Sequence, residues 1–174
     1  MIQLINKIEN NAYIAVSGGT DSMCCLDFLR RGRDVTALHF NHNTQTSNQA
    51  QKIVEDYCKT YQIPLIIGNI TRSKKDKESY EEYWRNQRYE FFDTIPHDIV
   101  MCHHLDDVVE WWIFSCLNGE GKIIPNKRPK ENGYILRPFL LNKKTIFQDW
   151  NRRKNVPYYN DPSNRETIYL RNQI

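Results

Sequence analysis

The sequence has no apolar run near the ~18 residues a membrane span needs, and no charged-then-apolar leader follows Met1. A soluble, cytoplasmic protein without a membrane partner is expected. Its five cysteines (Cys24, Cys25, Cys58, Cys102 and Cys116) are an odd set without Cys-x-x-Cys spacing. That pattern argues against a disulfide framework, a zinc knuckle and a thioredoxin-like pair, and reads as buried thiols in a reducing compartment. Glycine is scarce, with 7 in 174 residues, so the adjacent pair Gly18-Gly19 stands out. No lysine follows that pair, which excludes a Gly-x-x-x-x-Gly-Lys-Ser/Thr loop and favours cleavage between the α- and β-phosphates over γ-phosphoryl transfer.

What is present fits one domain: 174 residues, 40% of them apolar and 26% charged. The net charge of +3 is unevenly spread. Residues 1–121 hold 12 Lys/Arg against 17 Asp/Glu, whereas residues 122–174 hold 12 against 4. An acidic body with a basic C-terminal part suits a phosphate-rich partner, and a solvated basic tail accounts for the same asymmetry equally well.

Apolar periodicity predicts strands at 12–16, 35–40, 65–67, 99–102 and 134–137. Helices are predicted at 23–31, 47–61 capped by Ser47, 80–92, 105–117 and 142–154 capped by Asn142, with a last turn at 167–172. Residues 118–133, rich in Gly, Lys, Pro and Asn and without a period, read as a mobile loop. Alternating strands and helices imply an α/β fold: a doubly wound, mostly parallel sheet with helices on both faces and ligands at the carboxyl ends of the strands. Trp84, Trp111 and Trp112 are expected to pack in the core or between helices.

Ser17-Gly18-Gly19-Thr20-Asp21-Ser22 sits where the first strand hands over to the first helix. Two glycines let backbone N–H groups turn inward as an anion nest, and the helix N-terminus adds partial positive charge. A pyrophosphate fits there, with Asp21 holding magnesium and the hydroxyls of Ser17 and Ser22 as donors. An ordinary strand-to-helix turn is the plain alternative. His103-His104-Leu105-Asp106-Asp107 opens the helix at 105–117, and Asp107 and Glu110, three apart, share a face. That run serves equally as a helix cap. A zinc site lacks a third convincing ligand.

Ser-Gly-Gly-x-Asp-Ser resembles the signature of the N-type ATP pyrophosphatases, the PP-loop superfamily. Further segments resemble the bacterial tRNA(Ile)-lysidine synthetases in order: Asn41-His42; Glu82 with Arg85, Gln87, Arg88 and Tyr89; His103 to Asp107 with Glu110; Arg137-Pro138-Phe139-Leu140; Asp161-Pro162-Ser163-Asn164; and Arg171-Asn172. The resemblance implies an adenine nucleotide alpha hydrolase-like fold, with residues 1–141 forming the ATP pyrophosphatase domain and residues 142–174 a basic helix and tail packed on it. It also implies a reaction: ATP adenylates the C2 oxygen of a wobble cytidine in an isoleucine tRNA, and free lysine displaces AMP.

By the same resemblance, ATP meets Ser17, Gly18, Gly19, Thr20, Asp21, Ser22 and His42. Asp21 and Asp107 hold Mg2+, Arg137 stabilises the α-phosphoryl group, and His103 acts as base or orienting group. Asp107 and Glu110 hold or deprotonate the lysine, and Glu82, Arg85 and Arg88 lie near the substrate. Family members continue into further domains that grip the tRNA, so this chain is expected to hold the catalytic domain only. Its loop after Leu117 departs from the family, with Gly121-Lys122-Ile123-Ile124-Pro125. Lys122, Lys127, Arg128, Lys130, Lys143, Lys144, Arg152, Arg153 and Lys154 are then the candidate contacts to an anticodon stem-loop, with a homodimer as one way to enlarge that surface. The rivals are another PP-loop adenylating enzyme (a tRNA thiolase or an amidotransferase) and a non-catalytic nucleotide- or RNA-binding module.

Overall fold

The structure, a computed structural model, describes residues 1–160. The turn expected at 167–172, Asp161-Pro162-Ser163-Asn164 and Arg171-Asn172 therefore lie outside the described residues.

In chain order the elements are β1 (Asn11–Ala15), α1 (Thr20–Arg30), β2 (Asp34–Asn41), α2 (Gln45–Thr60), β3 (Leu65–Asn69), α3 (Tyr80–Asp93), β4 (Ile99–Val100), α4 (Leu105–Leu117), β5 (Lys127–Lys130), β6 (Gly133–Leu136) and α5 (Lys144–Lys154). One sheet runs β3-β2-β1-β4-β6-β5, parallel throughout except for β5, which pairs antiparallel with β6. This is the α/β, mostly parallel architecture expected, with helices on both faces.

The period of two along β1 decides the layers. Ala12 and Ile14 point into a core shared with Met23, Leu26 and Leu29 of α1, Val54 and Tyr57 of α2, and Phe147 of α5. Tyr13 and Ala15 point the other way, towards Leu38, Ile99 and Ile135 and towards Phe91 and Phe92 of α3. Gly68 in β3 allows the close approach of α3, because a Cβ there would run into the Phe91 ring. No described helix is long and apolar enough to cross a membrane.

Three local expectations are corrected. The segment read as a mobile loop contains β5, whose Lys127-Arg128-Pro129-Lys130 has no apolar alternation because an edge strand needs none. Helix α2 begins earlier than expected: Thr44 is its cap, and Ser47 completes the reciprocal box from the third helical position. Asn142 does not cap α5, where Lys143 holds the N-cap position. Fully buried, Asn142 pins the N-terminal segment: its Oδ1 accepts from Gln3 N at 2.8 Å, and its Nδ2 donates to Gln3 O at 2.8 Å and to Phe139 O at 2.9 Å. Its own carbonyl accepts from Leu105 N at 2.8 Å, which fixes where α4 starts.

Candidate active site at the carboxyl rim of the sheet

Because β1, β2, β4 and β6 are parallel, the segments leaving them meet on one rim. These are the Ser17–Gly19 turn, Asn41-His42, Cys102-His103-His104 and Arg137. Gly18 has φ +91°, and a Cβ there would sit 2.9 Å from Ala50 O of α2, so the turn requires glycine twice over. Gly19 caps α1 without any side-chain hydrogen bond, which leaves the first-turn N–H groups open to an anion. The serines brace the turn internally. Ser22 Oγ accepts from Ser17 N at 3.2 Å and donates to Gly19 O at 3.1 Å, and the two hydroxyls lie 3.1 Å apart.

Asp21 stands at the head of α1 with one oxygen engaged and one not. Its Oδ2 is 3.5 Å from His104 Nε2, and its Oδ1 is buried without a partner. His104, 2% exposed, is the cap of α4. Its Nδ1 accepts from Asp107 N at 3.3 Å, and its own N donates to Asp107 Oδ2 at 2.8 Å. With Nδ1 accepting, the proton of the neutral ring belongs on Nε2, facing Asp21. Burial pulls the His104 pKa down, but the hydrogen bond to Asp21 and the charges of Asp107, Asp21 and Asp106 outweigh it, and the net shift is upward.

The residue at the centre of this cluster is thus His104, whereas sequence reasoning chose His103. The missed signal was the position of His104 three residues before Asp107, the spacing of a capping box. His103 instead accepts from Arg137 Nε at 3.2 Å through Nδ1. Arg137, 5% exposed, donates from Nη1 to Pro125 O at 2.9 Å. Burial lowers its pKa most, Tyr89 opposes that through its charge and hydrogen bond, and Arg128 and Arg85 add to the fall. Asp106 Oδ2, 3.7 Å from His104 Nδ1, accepts from Lys144 N at 2.9 Å, tying α4 to α5. Glu110 is half-buried one turn beyond Asp107.

Asp21 and Asp107, paired by sequence as metal ligands, approach opposite ring nitrogens of His104, so the imidazole stands between them. Asp21 keeps a buried carboxylate oxygen without a hydrogen-bond partner. One such oxygen beside an open glycine turn suits magnesium, which takes waters and phosphate oxygens in preference to a full protein cage. Among the described residues no group of three or more His, Cys, Asp or Glu is arranged to hold a metal.

A second arm of the rim is aromatic and basic. His42 packs between Phe40 and Trp84, with ring centroids 5.0 and 5.6 Å away. Burial, then Arg88 and His39, lowers the His42 pKa to about 4. His42 Nδ1 and Arg88 Nε are both buried without partners. Asn41, by contrast, is a structural clamp on α2, donating to Asn48 Oδ1 at 2.9 Å and Gln51 Oε1 at 2.6 Å. Glu82 and Arg85 are exposed and line an open cavity of about 420 Å³ with Ser79, Glu81, Asn86, Tyr89 and Arg128. The Arg128 and Arg85 guanidinium carbons lie 4.9 and 5.9 Å from the Tyr89 ring centre. Trp84 packs as expected. Trp111 and Trp112 do not, being 37% and 49% exposed.

The PP-loop domain family matches residues 1–174. This chain belongs to the PP-loop family. Membership implies use of ATP, which agrees with the open glycine turn. The chain is 32% identical to the tRNA(Ile)-lysidine synthase of Staphylococcus aureus (strain MRSA252), over 96% of this chain and 43% of that one. It is also 32% identical to the enzyme of that name from Persephonella marina (strain DSM 14350 / EX-H1), over 92% of this chain and 39% of the relative. This PP-loop chain therefore spans less than half the length of those curated relatives. A solved structure, the NMN synthetase from Francisella tularensis, superposes with a TM-score of 0.58 at 16% identity, covering 86% of this chain and 63% of that one. The likeness extends to the fold alone.

Proposed function

We propose that the protein is a tRNA(Ile)-lysidine synthase that ligates lysine to C2 of a wobble cytidine through an adenylated tRNA intermediate. The observation that carries this reading is the Asp21–His104–Asp107 cluster at the head of two helices, beside a glycine turn whose N–H groups are uncapped.

In the first step the cytidine C2 oxygen attacks the α-phosphorus of ATP, the bond to the bridging oxygen breaks, and pyrophosphate leaves. The turn's N–H groups hold the leaving phosphates, and Arg137, through its charge and the N–H groups not given to His103 and Pro125, faces the charge developing on the α-phosphoryl oxygens. Magnesium, held by Asp21 Oδ1, supplies charge neutralisation when bound. In the second step the lysine amine attacks C2 and AMP departs. Asp107 and Glu110 receive the ammonium, and the carboxylates around His104 accept the proton that the amine must lose. His42 and Arg88, each with an unpaired nitrogen, meet the nucleotide, and Glu82, Arg85 and Arg128 meet the tRNA at the open cavity.

Thiolation by the adjacent pair is disfavoured, because Cys24 and Cys25 are fully buried and burial pushes both thiols up, leaving neither as an accessible thiolate. Several basic candidates are also already engaged: Lys130 Nζ holds Ile95 O and Asn132 O, and Arg152 pairs with Asp149 at 2.7 Å. Lys127, Arg128 and the remaining charges of the α5 end are the better tRNA contacts.

Incubation with labelled lysine, ATP and total tRNA, followed by nucleoside analysis, tests the assignment. Label in a modified cytidine at the wobble position is expected. Equal turnover with ammonia or a sulfur donor would exclude it.

A further inference from the structure

Helix α3 opens on an aromatic side chain left largely in solvent: Tyr80, its first residue, is 62% exposed. One turn on, half-buried Trp84 lies against it with ring centroids 5.5 Å apart, and Trp84 in turn meets His42 of the rim at 5.6 Å. A further turn on, Arg88 keeps its buried, unpaired Nε. From Tyr80 to Arg88 the helix rises ~12 Å, about the reach of three or four stacked nucleotides at ~3.4 Å each. Tyr80, Trp84 and His42 thus form an aromatic run from solvent to the site.

The segment leading into this helix is held in one shape. The Glu78 carboxylate accepts from Arg72 Nη2 at 2.8 Å, Arg72 Nη1 at 2.9 Å and Lys75 N at 3.1 Å, and Gln87 Oε1 of α3 accepts from Thr71 N at 2.8 Å. Lys74 Nζ donates to Glu78 O at 2.7 Å and stands 5.4 Å from the Tyr80 ring centre. Lys75 and Lys77, on either side of Asp76, are exposed.

On the tRNA reading above, on which this inference rests, we propose that Tyr80, backed by Trp84, is a stacking platform for an unpaired RNA base a few nucleotides from the cytidine that reacts. Lys75 and Lys77 meet the phosphates of the same strand. An exposed ring with cations beside it is the arrangement that holds single-stranded nucleic acid, because every base has a face to stack. Exposed Glu81 and Glu82, next along the helix, repel phosphates and keep the strand to the lysine flank. One ring among exposed charges falls far short of the ~800 Å² that a protein partner covers, whereas a single base needs no more.

A hairpin RNA with 2-aminopurine beside a loop cytidine tests the platform, since stacking on an aromatic ring quenches the fluorescence of that base. Titration with the full chain should quench it without ATP or lysine. Tyr80→Leu should weaken binding about tenfold and abolish the quench, Tyr80→Phe should preserve both, and circular dichroism should match wild type in each. Lys75→Ala and Lys77→Ala should each reduce the salt slope of the binding constant by about 0.7 with the quench intact, which keeps a readout if Tyr80→Leu misfolds. Absence of binding, a wild-type complex without quenching, or unchanged affinity in Tyr80→Leu, which leaves the ring to a protein partner, would overturn the proposal. Because no reaction is read, failed lysine transfer with the quench intact would overturn the assigned reaction alone.

Discussion

Two aspartates six residues apart on α1 live in opposite environments. Asp27, 1% exposed, has both oxygens fully occupied. Oδ1 accepts from Arg30 Nη2 at 2.6 Å and Tyr57 Oη at 2.5 Å, and Oδ2 from Arg31 Nε at 2.9 Å and Trp150 Nε1 at 2.8 Å. Burial alone would raise the Asp27 pKa, yet these partners lower it. Asp21 keeps a buried Oδ1 with no partner. A fold of this size can satisfy a buried carboxylate completely, so the orphan at Asp21 marks where a ligand completes the structure.

That contrast breaks or sharpens under mutation. Asp21→Asn should reduce AMP release by about 10³-fold, the upper range for loss of one preorganised electrostatic group, with urea stability within ~1 kcal/mol of wild type. Asp27→Ala should do the reverse and cost about 3 kcal/mol in urea unfolding, because Tyr57, Trp150 and two arginines lose their acceptor together. Gly18→Ala, which must hold φ +91° and meet Ala50 O, should cost about 2 kcal/mol and weaken ATP binding measured by calorimetry.

The smallest effect is in pH dependence, where buried His104 and half-buried His42 oppose each other. His104 has a raised pKa, so its contribution to stability is full below the unfolded value of ~6.5 and is lost as pH rises through the folded value. His42 has a lowered one, so its contribution is full above ~6.5 and is lost as pH falls towards about 4. In urea-midpoint profiles, His104→Gln should reduce the alkaline-side loss and His42→Gln the acid-side loss, part of which remains with buried His39, whose pKa is lowered in the same direction.

The parallel strands, their order of appearance and the glycine turn were legible in the sequence because buried strands are apolar runs and the turn demands glycine. Edge strand β5 was not, since Lys127 and Arg128 are exposed, the Lys130 ammonium bonds Ile95 O and Asn132 O, and Pro129 needs no ladder donor there. Among the site residues, Asp21, Asp107 and Arg137 were legible from their motifs. The central place of His104 was not, because the adjacent His103 and His104 have the same spelling, and only the burial of His104 between Asp21 and Asp107 separates them. The exposure of Trp111 and Trp112 escaped for a related reason: a stripe of aromatics has the same period whether it meets a core or nothing within the described chain.

Pyrophosphate release from ATP by the wild-type protein, with lysine and tRNA each omitted in turn, tests tRNA adenylation directly. Pyrophosphate release that needs tRNA, and AMP release that needs lysine as well, are expected. Release without tRNA, or AMP release sustained equally by ammonia, would contradict the assignment.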